Sequence, residues 1–130
     1  MNYDKKRILL VEDEVIVAMT IEESLTSLGY EVIGTVDDGF SAIDLAEKKN
    51  PDLILMDIRI QGDLDGIETV EKINENKDIP VIFLTAHSDE ETLSRMLKTY
   101  PYGFLVKPFR EKELYANIEA ALARHRTLRL

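Results

Sequence analysis

Leu53-Ile54-Leu55-Met56 is an apolar run that ends on one acid, Asp57. A short unbroken apolar run fits a strand buried on both faces, and such strands belong to parallel sheets covered by helices on each side. In open α/β sheets, ligands bind outside the carboxyl ends of the strands. Asp57 stands at such an end. Aspartate is also common in turns, so its meaning depends on what stands at the ends of the other strands.

Read in order, the chain supplies four more strands. Ile8 to Val11 is a buried strand followed by Glu12-Asp13-Glu14. Apolar residues at Ala18, Ile21, Leu25 and Leu28 then recur with helical spacing, and Gly29 closes that helix. Glu31 to Val36 is the second strand. Asp37-Asp38-Gly39 reads as a turn, and Ala42, Ile43 and Ala46 mark a second helix to Lys49, broken by Asn50-Pro51-Asp52. After Asp57, Gln61 to Gly66 is a polar loop, and Ile67, Val70 and Ile73 mark a third helix. A fourth strand is predicted over Ile79 to Leu84, with Pro80 near its start, where proline is tolerated. Thr85 stands at its end. Leu93, Met96 and Leu97 mark a fourth helix. Pro101 and Gly103 separate it from a fifth strand, Phe104 to Val106, which ends at Lys107-Pro108. Leu114, Ile118, Ala121 and Leu122 define the last helix.

Strands and helices alternate five times with short links. That predicts an α/β fold: a five-stranded, doubly wound parallel sheet with helices on both faces and right-handed crossovers; for the order 2-1-3-4-5, the switch point lies between strands one and three. No internal repeat or linker interrupts it. Residues 1–130 read as a single domain with its core at about 7–125.

Composition removes several classes of function. A chain of 130 residues buries roughly two thirds of its unfolded surface and can hold its own core. With no cysteine, disulfides and thiolate metal sites are excluded. A net charge of -9 argues against nucleic acid as a direct partner. The basic stretch Arg124-His125-Arg126-Thr127-Leu128-Arg129 reads as a helix C-terminus, where cations complement the dipole. The apolar runs are too short to span a bilayer, and Met1 to Arg7 leads into too few apolar residues for a secretory signal. We therefore expect a cytoplasmic protein with no membrane partner.

The predicted topology delivers Glu12 and Asp13, Asp57, Thr85 and Lys107 to one edge of one sheet, with the crevice between strands one and three. Three carboxylates there repel one another unless a cation joins them. With only oxygen ligands in the set, Mg²⁺ is favoured over Zn²⁺. Lys107 and Thr85 suit a phosphoryl group as point charge and hydroxyl donor. Metal plus ammonium is the usual arrangement for stabilising a transferring phosphoryl group. Asp57 is the carboxylate placed to accept it, as an aspartyl phosphate.

Together, Glu12-Asp13, Asp57 after its apolar strand, Asp65-Gly66, Thr85-Ala86 and Lys107-Pro108-Phe109 resemble the receiver domain of two-component response regulators, a flavodoxin-like fold. The resemblance covers nearly the whole chain. It implies that Asp57 takes phosphate from a sensor histidine kinase or a histidine phosphotransfer protein. It implies that Asp13, Asp57 and the backbone carbonyl of Arg59 hold Mg²⁺, with Glu12 acting through water. Lys107 then pairs with the phosphoryl group and Thr85 moves toward it. Phe104 takes the place of the family's switching ring, beside a surface of fourth helix, fifth strand and fifth helix that serves an output partner or a homodimer. Arg59 and His87 take the places that tune phosphate lifetime, and a cis bond often precedes the proline matching Pro108.

The chain departs from the family pattern in three places. The loop from Asp57 to Gly66 is longer and lacks a proline. Thr99-Tyr100-Pro101-Tyr102-Gly103 replaces small residues. Phe104 has no hydroxyl. Rival readings are weaker. A Mg-dependent aspartyl-phosphate phosphohydrolase of one large class needs an Asp where Arg59 stands. A flavin carrier needs a hydroxyl- and glycine-rich loop where Glu12-Asp13-Glu14 stands. An unphosphorylated interaction module does not need the full acceptor set. We expect a phosphoacceptor rather than a turnover enzyme.

Overall fold

The structure, a computed structural model, describes residues 5–86 and 89–128. In chain order its elements are β1 (Arg7–Val11), α1 (Val15–Ser27), β2 (Glu31–Val36), α2 (Gly39–Lys49), β3 (Leu53–Asp57), α3 (Gly66–Asn74), β4 (Val81–Thr85), α4 (Glu90–Leu97), β5 (Gly103–Val106) and α5 (Glu111–Leu128). The strands form one parallel sheet in the order β2-β1-β3-β4-β5, as expected. The reversal between β1 and β3 opens a crevice at their carboxyl ends.

Alternation along the strands splits the core into two layers. Ile8, Leu10, Leu53, Leu55, Ile82, Leu84 and Leu105 face α1 and α5, where they meet Ile21, Leu25, Leu114 and Ile118. Leu9, Val11, Ile54, Met56, Val81 and Phe83 face the other way, onto Ala42 and Ala46 of α2, Ile67, Val70 and Ile73 of α3, and Met96 of α4. Residues one apart on a strand thus serve opposite layers. Apolar residues on alternate faces therefore read as an unbroken run.

Element boundaries follow local chemistry. Gly39 begins α2 rather than closing a turn, because Asp38 caps the helix by accepting from the Ser41 N–H. Asp65 and Glu68 form a capping box that starts α3 at Gly66, so Gly66 is the first residue of the helix and not the last of the loop. Asp89 caps α4 and accepts from the Thr92 N–H, which leaves Thr85 to the sheet edge. Ser88 and His87 lie outside the described residues, as do residues 1–4, Arg129 and Leu130. The fourth strand begins at Val81 and not at Ile79, because Pro80 brings no N–H to the ladder. No helix among the described residues is long and apolar enough to cross a membrane.

Candidate functional site

Three strand ends bring acids and a base together. β1 is buried along Ile8 to Val11 and runs directly into Glu12, which is only 2% exposed. Glu14 stands at the N-cap of α1 without a side-chain capping bond, so Glu12 and Asp13 precede the helix and stay at the sheet edge. β3 is buried throughout and ends on Asp57, itself 4% exposed. Oxygens of Glu12, Asp13 and Asp57 lie within 4.8 Å of one another.

Lys107, reached through β5, bridges two of these acids. Its Nζ lies 2.8 Å from Glu12 Oε1 and 2.9 Å from Asp57 Oδ2. The other oxygens are held by backbone: the Glu14 N–H donates to Glu12 Oε2 at 3.2 Å, and the Arg59 N–H donates to Asp57 Oδ1 at 3.2 Å. Burial pushes the Glu12 carboxyl above its ordinary range; Asp57 pushes the same way, while Lys107 and the Glu14 N–H pull back. Asp13 is also raised, first by burial and then by the charge of Glu12. Burial works against the Lys107 ammonium, but its bonds to Glu12 and Asp57 outweigh it and raise the group. Burial first, and then the neighbouring acids, thus raise two of the three carboxyls.

Thr85 ends β4 and is buried, and its strand register places it opposite Val106. Asp13, Asp57, Arg59, Thr85 and Lys107 line one cleft of about 260 Å³. Glu14, Asp89 and Thr92 line it too; the sequence reading gave them no role there. Their places follow from the starts of α1 and α4, which the apolar periodicity does not locate. The peptide bond between Lys107 and Pro108 is cis.

The acceptor backbone is closely packed from behind. A Cβ on Gly66 would lie 2.1 Å from the Asp57 carbonyl oxygen, so only glycine fits there. The Gly66 N–H donates to the Ile58 carbonyl at 2.7 Å, closing the loop that carries Arg59. On the far side of the loop the Gln61 N–H donates to the Asp37 carbonyl and Gln61 pairs with Asp38.

Phe104 pairs with Phe83 in the β4–β5 register, on the same face of the sheet as Thr85. Phe83 is fully buried, whereas Phe104 is 40% exposed. The ring is therefore a surface group, not core.

This arrangement defines a class: an acid-rich cleft with one lysine at the switch point of a 2-1-3-4-5 sheet. Residues 8–119 match the family model for the response regulator receiver domain, and the chain belongs to that family, the receivers of two-component systems. It is 36% identical over 123 residues to the transcriptional regulatory protein PdtaR of Mycobacterium tuberculosis, covering 95% of this chain and 60% of that protein. It is 39% identical over 119 residues to the uncharacterized transcriptional regulatory protein YrkP of Bacillus subtilis, covering 92% of this chain and 50% of that protein. The chain thus spans half to three fifths of these curated relatives. Among solved structures, the signal receiver domain of a modulated diguanylate cyclase from Desulfovibrio desulfuricans superposes with a TM-score of 0.91 at 37% identity, covering 95% of this chain and 98% of that one. The receiver domain of sensor histidine kinase PA1611 from Pseudomonas aeruginosa, solved with magnesium coordinated in its active-site cleft, superposes at 0.84 with 34% identity, covering 92% and 98%.

Proposed function

We propose that the chain is a phosphoacceptor: Asp57 takes a phosphoryl group from a phosphohistidine on a sensor histidine kinase or histidine phosphotransfer protein. The observation that carries this reading is Lys107, bonded at once to Glu12 and Asp57 beside a third acid at the mouth of an open cleft. A carboxylate oxygen of Asp57 forms the new P–O bond as the donor's P–N bond breaks, and the imidazole nitrogen keeps the electron pair. Lys107 follows the charge onto the phosphoryl oxygens, the Thr85 hydroxyl donates to one of them, and the Arg59 N–H orients the carboxylate.

The all-oxygen donor set fits Mg²⁺. Glu12, Asp13, Asp57 and the Arg59 carbonyl would hold it, Glu12 through water. When bound, it supplies positive charge at the phosphoryl oxygens. In this reading the chain is a switch rather than a turnover enzyme, and it works in the cytoplasm.

Partners would meet two surfaces. Val15, Ile16 and Met19 of α1 are exposed, and a groove lined by Ile16, Val17, Ile21, Pro108 and Phe109 runs beside the cleft. A donor helix resting there would bring its phosphohistidine to Asp57. Exposed Leu97, Phe104, Val106 and Tyr115 mark the face of α4, β5 and α5, where an output partner or a second copy would bind. The test is intact mass after treatment with acetyl phosphate and Mg²⁺. We expect a gain of one phosphate that Asp57→Asn abolishes; a gain that persists in Asp57→Asn contradicts the assignment.

A further inference from the structure

One ion pair near the cleft has no part in the chemistry above. Arg95 Nη2 of α4 lies 2.8 Å from Asp65 Oδ2. The other Asp65 oxygen accepts from the Glu68 N–H at 2.8 Å, so one carboxylate both caps α3 and holds a cation from a different helix. Hydrogen bonds with Asp65 hold the Arg95 guanidinium above its ordinary value, against the effect of burial.

Asp65 is joined to the acceptor by a short path. It precedes Gly66, whose N–H is bonded to the Ile58 carbonyl and whose Cα packs against the Asp57 carbonyl. α4, by contrast, is thinly anchored: Met96 is its one buried residue. Its capping residue, Asp89, lines the same cleft as Thr85. Both ends of the question, the acceptor loop and α4, therefore meet at the Arg95–Asp65 contact.

We propose that Arg95 is a positioning residue that acts through Asp65, tethering α4 to the loop that seats Asp57. This rests on the phosphoacceptor reading and deepens it. With the pair closed, α4 is held in its present place. An α4 that follows Thr85 toward a phosphoryl group has to strain or open the pair, so the tether weighs against the switched arrangement. Because coupling between sites is reciprocal, removing the tether favours that arrangement and tightens binding of anything that stabilises it.

The experiment has two arms, both on the full chain. The first is amide hydrogen exchange without ligand. Asp65→Asn keeps a good N-cap while removing the charge, and Arg95→Met keeps the apolar stem. Each speeds exchange of the α4 amides by about two- to five-fold, the range that a partly exposed ion pair supplies. The double variant goes no further than either single one, and Arg95→Lys restores part of the protection. Unchanged α4 exchange, or fully additive effects, would overturn the tether. The second arm is affinity for beryllofluoride with Mg²⁺. Arg95→Met binds about two- to five-fold more tightly than the parent, by the same energy; equal or weaker binding overturns the coupling. If the parent itself does not bind beryllofluoride, the phosphoacceptor reading fails, and the ligand-free exchange still decides the tether.

Discussion

β3 and β5 have similar apolar sequences and opposite situations. All five residues of β3 are buried, between β1 and β4 and under helices on both faces. β5 has one neighbour strand, and of its residues only Leu105 is buried. The centre of the sheet therefore holds the acid cluster in a rigid frame, where small displacements disturb close packing. The edge can rearrange with little loss of burial, and α4, which lies beside it, is as loosely held. A charge added at the centre can be registered at the edge without unfolding either.

The sharpest test of this contrast is the pair Phe83 and Phe104, register partners with the same side chain. Phe83→Ala should lower unfolding stability by about 3–5 kcal/mol, the usual loss for a buried phenylalanine. Phe104→Ala, at a half-exposed site, should lower it by about 1 kcal/mol or less. Urea denaturation at fixed pH measures both; similar losses would erase the distinction between centre and edge.

A smaller effect probes the centre's electrostatics. The raised Asp13 carboxyl means that its folded form holds a proton more tightly than the unfolded chain does. Its favourable contribution is therefore complete below the unfolded value near 3.8 and lost as pH rises through the folded value. Asp13→Asn should then be more stable than the parent at pH 7, with the gain fading as the solution is acidified toward that value. Mg²⁺ at ten times its dissociation constant should stabilise the parent by about 1.4 kcal/mol and Asp13→Asn by much less. Thermal melts with and without the metal check both statements. A parent indifferent to Mg²⁺ would count against the cation site.

The contrast also explains what could be read from sequence. The parallel sheet and the gathering of Glu12, Asp13, Asp57, Thr85 and Lys107 at one edge follow from the alternation of elements, since each of these residues ends or follows a strand; the strand order goes with the family resemblance. The exposure of Phe104 is not legible in its own strand, because an edge strand and a central strand present the same apolar run; it follows from the place of β5 at the end of the sheet. The starts of α2 and α3 were misplaced because Asp38 and Asp65, read as turn and loop residues, are caps. Nor could the Arg95–Asp65 pair be found, as its partners lie on different elements with no shared local pattern. Tyr100 shows the opposite case. Its departure from small residues was visible, but not that its backbone takes the left-handed conformation, φ 53°, which favours glycine.

In the proposed switch, a phosphoryl group at the buried acceptor is read out at the loose edge. Amide shift mapping by NMR with beryllofluoride and Mg²⁺ tests it most directly. Shifts around Asp57, Thr85 and Lys107 should be accompanied by large shifts along α4 and β5, and Thr85→Ala should shrink the distant ones while leaving binding in place. Large shifts confined to the loops around Asp57, with none on α4 or β5, would contradict it.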